Sequence, residues 1–359
     1  MSQTLKELVK YKGTSFAPSN TRGALMNFFK VFTGLGLAIL AKNFATTTFN
    51  RRYFDSKVVL ITGGSKGLGF VMARELLKEG ARVAICARER DELERAKRKL
   101  LQYGEEVLTL VCDVTDEAQV HDMVMDTVEY FGRLDILLNN AGIIQVGPMQ
   151  AFSKKEYEKA MNVMYWGIAN TTLEVIPHFK EQGGGQIVNI TSVGGKVSMP
   201  HLLPYDASKF AAIGFSEGSA AELRKDGIYV TAIIPGLMRT GSFVNADFQK
   251  GNEKEFNLFR ILANLPMATM SAEKAAHKIL NAIKTKDAVK VIGPQARMLI
   301  ELHHFFPNLM VKLFSLINKQ IPTSGEKNIV KGENFEDASS RGARLESMGQ
   351  KEKEQFQRF

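Results

Sequence analysis

The chain has 359 residues, of which 45% are hydrophobic, and this suffices for one large α/β domain with extensions or for two domains. Its formal net charge of +9 is concentrated at one end, because residues 1–57 carry nine basic and two acidic side chains while the middle is nearly neutral. A near-neutral middle argues against a nucleic-acid groove on the main domain, whereas the basic end fits attraction to an anionic membrane surface.

The first apolar segment, residues 24–41, lies within a basic and hydrophobic N-terminal arm that spans residues 1–54. As a helix the segment would measure about 27 Å, slightly less than the roughly 30 Å hydrocarbon core of a bilayer. Asn27 and Lys30 interrupt it, and no convincing signal-peptide cleavage site follows. Two interpretations stay open: a helix that anchors the chain to a membrane or lies on it, and a helix packed on the protein's own surface or at a dimer interface.

From residue 57 onward, short apolar runs alternate with amphipathic stretches of ten or more residues. Continuous apolar strands separated by helices are typical of a parallel sheet covered on both faces. The pattern predicts an α/β fold, a doubly wound Rossmann-type domain over residues 55–293 with a mostly parallel seven-stranded sheet and helical extensions at both ends. The predicted strands are 57–61, 82–86, 107–112, 134–138, 186–190, 228–233 and 289–292. The predicted helices include 68–78, 91–101, 117–130 and 205–224.

A glycine-rich turn, T-G-G-S-K-G-L-G at 62–69, connects the first predicted strand to the first helix. Glycines let the backbone turn tightly and approach a pyrophosphate, whose charge is stabilised by the N-terminus of the helix. The spacing G-x-x-x-G-x-G differs from the G-x-G-x-x-G pattern of other dinucleotide domains. We therefore predict a dinucleotide site here, with a simple turn as the alternative.

The ends of the second, third and fourth strands indicate which dinucleotide would bind. The second strand ends Cys86-Ala87-Arg88 without an acidic residue, and Arg88 with Lys66 supplies positive charge that would accommodate the 2′-phosphate of NADP(H). Alternatively, Arg88 is an ordinary solvated residue of a mixed charge run. Asp113 follows the third strand, where it would contact the adenine or cap the next helix. N-N-A-G at 139–142 would let the backbone approach the cofactor and brace neighbouring strands, or form a plain turn.

Cys86 and Cys112 both lie in apolar, strand-like runs. We expect buried thiols in a reducing compartment. The sequence predicts neither a metal site nor a disulfide framework.

Tyr205 and Lys209 lie four residues apart at the start of a predicted helix, so they share one face. A nearby lysine cation would lower the phenol pKa from about 10 and make Tyr205 a candidate general acid/base. Ser192, thirteen residues earlier, ends a strand at the same sheet edge and could bond a substrate carbonyl. P-G-L-M-R-T at 235–240 could close around the nicotinamide. Taken alone, the Tyr-x-x-x-Lys pair also occurs by chance on solvated helices.

Three later segments carry weaker signals. Residues 237–266 interrupt the strand–helix rhythm and could be a substrate lid or a surface excursion. In the C-terminal segment 294–320, residues 298–317 form a broad apolar face that Pro307 kinks or divides, and this face could pack on the core, meet a membrane or line a substrate entry. The charged residues 321–359 are predicted to be disordered.

Taken together, these motifs resemble the short-chain dehydrogenase/reductase family over residues 55–293. Beyond the patterns above, the resemblance includes Asn162 in M-N-V-M-Y-W-G. It implies hydride transfer between a nicotinamide and a carbonyl or alcohol carbon. Tyr205 would then donate or accept the proton, and Ser192 would orient the substrate oxygen. Lys209 would bind the nicotinamide ribose and lower the Tyr205 pKa, and Asn162 would hold a water of the proton relay.

The expectation is an oxidoreductase that acts on a lipophilic ketone or aldehyde and depends on NADP(H), with NAD(H) as the less favoured alternative. Alternatives are a non-catalytic NADP(H)-binding sensor or scaffold and an epimerase or dehydratase of the same family. We also expect a homo-oligomer in the cytoplasm, with possible attachment to the cytoplasmic face of a membrane and no nucleic-acid partner. The expected cofactor-binding residues are Gly63, Ser65, Lys66, Gly67, Leu68, Gly69, Arg88, Asp113, Val114, Asn140, Ala141, Gly142, Tyr205, Lys209, Pro235, Gly236 and Thr240.

Overall fold

A central sheet of seven parallel strands dominates the computed structural model, which describes residues 53–265, 269–323, 325–326, 328–336 and 350–357. The predicted segment 24–41 lies outside these residues. The strands are β1 (Val58–Thr62), β2 (Arg82–Ala87), β3 (Val107–Val111), β4 (Ile136–Asn139), β5 (Gln145–Val146), β6 (Gly185–Ile190), β7 (Ile228–Pro235), β8 (Met238–Arg239), β9 (Asp247–Gln249), β10 (Met270–Ser271), β11 (Val289–Ile292) and β12 (Ile329–Lys331).

The central sheet has the order β11-β7-β6-β4-β1-β2-β3, and every neighbouring pair in it is parallel. The predicted doubly wound fold is therefore confirmed. The chain adds β2 and β3 on one side of β1 and then crosses to β4 on the other side. Such a reversal opens a crevice at the carboxyl ends of the strands, which is where ligands bind in these sheets.

Helices cover both faces of the sheet. They are α1 (Gly67–Lys78), α2 (Arg90–Leu100), α3 (Glu117–Phe131), α4 (Lys154–Met161), α5 (Gly167–Glu181), α6 (Leu203–Leu223), α7 (Glu253–Asn264), α8 (Ala272–Thr285), α9 (Pro294–Phe305), α10 (Pro307–Asn318), α11 (Glu333–Glu336) and α12 (Gln350–Phe356). Along β1, Val59 and Ile61 pack with α1, α2 and α8, whereas Val58 and Leu60 pack with α3, α5 and α6. Because side chains alternate along a strand, a strand buried on both faces is apolar throughout.

The segment predicted as a lid has a small core of its own. Its strand β9 pairs with β5 on one side and with β12 on the other. Phe243, Phe248 and Phe256 from this segment pack together with Phe335 from the C-terminal tail. We refer to residues 237–265 as the lid.

The C-terminal tail differs from the prediction of disorder over 321–359. Among its described residues, β12, α11 and α12 are regular elements, and Phe335 and Phe356 are buried. These few aromatic side chains anchor a segment whose charged composition alone predicts no stable structure.

The helices α9 and α10 form a hairpin that is divided at Pro307. Its buried side chains are Ala296 on α9 and Met310 on α10, while Phe305 remains 67% exposed. No helix within the described part of the chain is both long and apolar enough to cross a bilayer.

Candidate active site

The glycine-rich turn between β1 and α1 requires glycine at several of its positions. Gly63 and Gly67 have positive φ angles of 64° and 58°, which favour glycine. A Cβ on Gly69 would lie 2.2 Å from the carbonyl oxygen of Gly63. The Asn140 amide donates to the carbonyl oxygens of Thr62 and Gly63 at 3.1 and 3.0 Å, so the end of β4 holds the turn in place.

A chain of buried hydrogen bonds braces the strands behind this turn. The Thr171 hydroxyl donates to the Asn139 side chain, whose amide donates to Asn189 at 2.9 Å. The Asn189 amide in turn donates to the Ser216 hydroxyl at 2.8 Å. The network links α5, β4, β6 and α6, and a buried polar network with satisfied partners makes such an edge rigid.

A cavity of about 310 Å³ lies above the carboxyl ends of the strands. Most residues expected to bind the cofactor line it: Gly63, Ser65, Lys66, Gly67, Leu68, Arg88, Asp113, Val114, Asn140, Ala141, Gly142, Tyr205, Lys209 and Thr240. The glycine cradle fits the close approach of a pyrophosphate to backbone N–H groups, so these residues fit a dinucleotide. When bound, a nicotinamide dinucleotide supplies or accepts the hydride.

Three expected cofactor residues lie elsewhere. Gly69 packs beneath the turn, against Gly63 and Asn140. Pro235 and Gly236 line a second cavity of about 430 Å³ that adjoins the first at Met238. The second cavity is bordered by the lid and by the start of α9.

Charged side chains of both signs surround the end of the first cavity near β2 and β3. The Lys66 ammonium lies 2.7 Å from a carboxylate oxygen of Glu92, and the Ser65 hydroxyl donates to the same carboxylate. The Arg88 guanidinium lies 4.0 Å from Asp113. Glu92 was not predicted, and it offsets part of the positive charge expected there.

Asp113 does not cap the helix that follows. One of its carboxylate oxygens accepts hydrogen bonds from the backbone N–H and the hydroxyl of Thr115, at 3.0 and 2.9 Å. Asp116 caps α3 instead, accepting from the N–H groups of Ala118 and Gln119. The alternative interpretation of Asp113 as a helix cap is therefore wrong, and its carboxylate borders the cavity.

Ser192, Tyr205 and Lys209 come together at the carboxyl end of β6. A hydrogen bond joins the Ser192 and Tyr205 hydroxyl groups. The buried Lys209 ammonium donates to the carbonyl oxygen of Ile190 at 2.9 Å and lies 5.8 Å from the centre of the Tyr205 ring. These three groups can orient a carbonyl oxygen and exchange a proton with it.

The pKa values at this point differ from the expectation that Lys209 lowers the Tyr205 pKa. Burial raises the pKa of Tyr205 to about 12, although the hydrogen bond with Ser192 acts in the opposite direction. Burial also lowers the pKa of Lys209 to about 8. Loss of water around both groups outweighs the attraction between them. Tyr205 is therefore protonated at neutral pH, which is the form required of a proton donor.

Asp206 is a buried carboxyl group that follows Tyr205 in the chain. One of its oxygens accepts from the N–H of Met199 at 2.7 Å and from the Ser198 hydroxyl at 3.2 Å. Burial nevertheless raises the pKa of Asp206 to about 7. Its other oxygen faces Gly194, where an added Cβ would come within 2.2 Å. The carboxyl group thus ties the loop after Ser192 to the start of α6.

Asn162 marks an irregular turn on the helix that faces α6. Helix α4 ends at Met161, and a π-helical turn covers Asn162–Trp166 before α5 begins. The carbonyl oxygen of Asn162 accepts from the N–H of Gly167 across the turn. Such π-turns occur frequently at functional sites.

Two further contacts at the site were not predicted. His201, which has a positive φ of 66°, forms a buried hydrogen-bonded pair with Glu255 of α7 and links the loop before Tyr205 to the lid. Gln357, at the end of α12, lines the first cavity together with Asn245 of the lid. In the sequence, the isolated Phe356 in a charged tail is the one feature that could have indicated a role for Gln357.

Cys86 and Cys112 are buried free thiols, as predicted, and both border the first cavity. The hydrogen bond with Cys112 and burial together raise the pKa of Cys86 well above its usual value. A thiol that stays protonated is a weak nucleophile.

Known proteins share this architecture. The family model described as short chain dehydrogenase matches residues 57–250. Levodione reductase of Leifsonia aquatica is 38% identical over 205 residues, which cover 56% of this chain and 76% of that protein. Dehydrogenase/reductase SDR family protein 7-like of Anopheles gambiae is 34% identical over 269 residues, covering 72% of this chain and 82% of that protein. The crystal structure of 3-ketoacyl-(acyl-carrier-protein) reductase from Brucella melitensis, complexed with NADH, has a TM-score of 0.60 and 28% identity, covering 68% of this chain and 99% of that chain.

The family match covers more than half of the chain and includes the glycine turn and the Ser192, Tyr205 and Lys209 group. The sheet order and the cavity above it agree with that match. The protein is an oxidoreductase that belongs to the short-chain dehydrogenase/reductase family and binds a nicotinamide dinucleotide.

Proposed function

We propose that this protein is an NADP(H)-dependent reductase of lipophilic ketones or aldehydes. The observation that carries the proposal is the group formed by Ser192, Tyr205 and Lys209. Tyr205 and Lys209 line the cofactor cavity, and Val193, the neighbour of Ser192, lines the second cavity. In this reaction a hydride from the nicotinamide would reach the carbonyl carbon while Tyr205 gives its proton to the oxygen. Ser192 would donate a hydrogen bond to that oxygen.

The protonation of Tyr205 suits the proton-donating step of a reduction. A phenol with a pKa of about 12 holds its proton at neutral pH and can donate it as negative charge develops on the carbonyl oxygen. The names of two relatives, levodione reductase and 3-ketoacyl-(acyl-carrier-protein) reductase, support reduction as the reaction type.

The preference for NADP(H) is inferred from Arg88 and Lys66, which border the cavity together with Glu89. The Arg88 side chain is largely exposed and only 4.0 Å from Asp113, so it can reorient toward a 2′-phosphate. Against this, Glu92 neutralises Lys66, and the Brucella melitensis enzyme binds NADH. The preference therefore depends on Arg88.

A lipophilic substrate is inferred from the second cavity. Apolar side chains of Leu237, Met270 and Leu299 border it, and its volume is about 430 Å³. Leu299 belongs to α9, so this cavity extends to the base of the exposed helical hairpin.

The α9–α10 hairpin is proposed to rest on an anionic membrane surface. Nine large apolar side chains between residues 298 and 317 are more than two-fifths exposed. The hairpin carries Arg297, Lys312 and Lys319 but only one acid, Glu301. An apolar face accompanied by basic residues matches the chemistry of an interfacial helix on anionic lipid. Residues 24–41 remain a second proposed anchor.

Reduction of a panel of carbonyl compounds by wild type and Tyr205→Phe tests the proposed activity. We expect loss of the proton donor to lower kcat about 10²–10⁴-fold while NADPH binding stays unchanged, because the ring is retained. Equal rates of the two proteins with every substrate would favour a non-catalytic dinucleotide-binding role. Stoichiometric consumption of NADPH separates reduction from epimerisation or dehydration.

The lipophilic preference is tested by comparing turnover of long-chain and of small polar ketones. We expect faster turnover of the long-chain ketones.

Cofactor preference is tested with Arg88→Asp. Loss of a charge-assisted phosphate contact should weaken NADPH binding by about 1.5–3 kcal/mol and leave NADH binding nearly unchanged. The matched control is Arg90→Asp, which makes the same charge change at the first residue of α2. An unchanged ratio of the two dissociation constants in Arg88→Asp would contradict the assignment.

Membrane attachment is tested by flotation with vesicles of anionic or zwitterionic phospholipid. The double variant Phe305→Asp with Leu309→Asp should lose vesicle binding, whereas Asn308→Asp adds a charge on the same turn and should retain most of it. Deletion of residues 1–50 tests the other anchor separately. Equal flotation of all hairpin variants would contradict docking through the hairpin.

The expected homo-oligomer is tested by light scattering, which measures the molar mass of the protein in solution.

A further inference from the structure

The C-terminal tail holds the lid at two separate places. In the first, β12 pairs antiparallel with β9, so that Val330 lies opposite Phe248. The Gly332 N–H donates to the carbonyl oxygen of Ala246 at 2.8 Å. The Phe335 ring stacks on Phe256 with 5.2 Å between the ring centres. The lid therefore includes a strand and an aromatic ring that the tail supplies.

The second attachment is helix α12, which packs between the lid and α1. Phe356 is 1% exposed and belongs to the same core cluster as the side chains of α1. A Cβ on Gly241, where φ is +70°, would lie 2.8 Å from the Lys353 Cα. A backbone-to-backbone approach this close indicates specific packing of α12 on the lid.

Gln357 follows α12 and lines the cofactor cavity. Its Nε2 donates to the carbonyl oxygen of Thr240 at 2.6 Å, and its Oε1 accepts from the Asn245 amide at 2.7 Å. The same Nε2 would stand 3.1 Å from a Cβ built on Gly67, in the glycine turn. Gln357 therefore lies against the glycine turn while it is bonded to the lid.

We propose that Gln357 is a positioning residue for the dinucleotide: it fastens the lid beside the glycine turn, and this closure slows release of the bound cofactor. Thr240 and Asn245, the two residues that Gln357 bonds, both line the cofactor cavity. Because Phe356 anchors α12 in the core beside α1, Gln357 stays with the glycine turn when the lid moves away. We therefore expect that opening of the lid, which would release a cofactor held there, breaks both bonds. Because affinity differences within one site arise mainly in the dissociation rate, the bridge acts on release.

The inference rests on the proposed function only in that a nicotinamide dinucleotide occupies this cavity, whether NADPH or NADH. It makes no use of the proton transfer by Tyr205. If Tyr205→Phe retained full activity, the proposed reaction would be wrong and the role of Gln357 in cofactor release would stand.

The test is stopped-flow fluorescence of NADPH and NADH release from the full-length protein. Gln357→Ala removes both hydrogen bonds, and we expect release of the preferred cofactor to become about tenfold faster. The matched control is Gln355→Ala, an exposed glutamine on the same helix, which should change the rate less than twofold. Equal release rates for Gln357→Ala and Gln355→Ala would overturn the proposal.

Two further measurements separate closure from general loosening of the fold. In a double-mutant cycle, Asn245→Ala should have little further effect on release once Gln357 is alanine, because the two side chains share a hydrogen bond. Hydrogen exchange in a peptide that covers residues 350–357 should slow when NADPH is added to wild type. Additive effects in the cycle, or exchange that is unaffected by cofactor, would contradict a closure through Gln357.

Discussion

The catalytic edge of the sheet and the α9–α10 hairpin place polar and apolar groups in opposite ways. At the catalytic edge, Asn189, Asp206 and Lys209 are buried, and each has a hydrogen-bond partner. In the hairpin, leucine and phenylalanine side chains are exposed. Burial of polar groups requires partners and shifts pKa values, whereas large exposed apolar patches mark surfaces for attachment. The first region carries the proposed chemistry, and the second is the surface proposed to dock on a membrane.

The comparison implies that the two regions differ in how well they tolerate amino-acid substitutions. A substitution at the catalytic edge removes a partner from a buried group or fills space that is already occupied. A substitution on the hairpin surface alters groups that few protein atoms touch. The following variants test this contrast, beginning with the largest expected effect.

Ser192→Ala should lower kcat about 10²–10³-fold, because it removes the hydrogen-bond donor expected at the substrate oxygen. Steady-state kinetics with a saturating carbonyl substrate measures the loss. Cofactor affinity should remain unchanged, since Ser192 does not line the cofactor cavity. A decrease in kcat of less than tenfold would contradict the role given to this hydroxyl.

Gly194→Ala should destabilise the protein by about 1–3 kcal/mol, because its Cβ would overlap a carboxylate oxygen of Asp206. Gly218→Ala is the matched comparison, since no atom lies within 4 Å of a Cβ at that helical position. There alanine should stabilise α6 by about 0.5–1 kcal/mol. Urea denaturation of both variants measures the difference. If both substitutions changed the free energy of unfolding by the same amount, the close contact with Asp206 would not explain a loss of stability.

Asp206 should make stability depend on pH. Its folded-state pKa of about 7 lies above the ordinary value of 3.8. The folded protein therefore holds this proton more tightly than the unfolded chain. The proton's contribution to the free energy of unfolding is fully present below about pH 4 and is lost as pH rises through about 7. Asp206→Asn should remove this dependence, on the order of 4 kcal/mol between those limits. Urea denaturation across that pH range measures the dependence. If the free energies of unfolding of wild type and Asp206→Asn changed in parallel with pH, the assignment would be wrong.

Phe305→Ser should change the free energy of unfolding by less than about 0.5 kcal/mol, because its ring is mostly exposed. Met310→Ser in the same hairpin should cost about 2 kcal/mol or more, because Met310 is buried. Urea denaturation in the absence of lipid measures both. A large loss for Phe305→Ser would show that the exposed face packs against another part of the protein.

Sequence patterns predicted the sheet because its strands are buried on both faces. β1 is a run of apolar residues whose alternate members enter two separate cores, so the run itself identifies a central parallel strand. The cofactor turn and the catalytic residues were also placed from spacing, since parallel strands end at one common edge.

Features that depend on tertiary surroundings were not predicted. The spacing of Tyr205 and Lys209 indicates proximity, but the Tyr205 pKa is governed by burial, which spacing does not encode. Asp113 and Asp116 both follow β3, and only the geometry of the turn decides that Asp116 caps α3. Gln357 reaches the cavity because Phe356 is buried next to α1, a contact between residues nearly three hundred positions apart.

The small sheet β5-β9-β12 has a consequence for the order of folding. Its three strands come from residues 145–146, 247–249 and 329–331, and the last strand of the central sheet ends at Ile292. During synthesis the ribosome releases every strand of the central sheet before β12, and pairing between distant segments closes late because long loops must first be ordered. The nascent chain can therefore build its scaffold early, while the outer wall of the cofactor cleft is completed only after β12 and α12 have emerged.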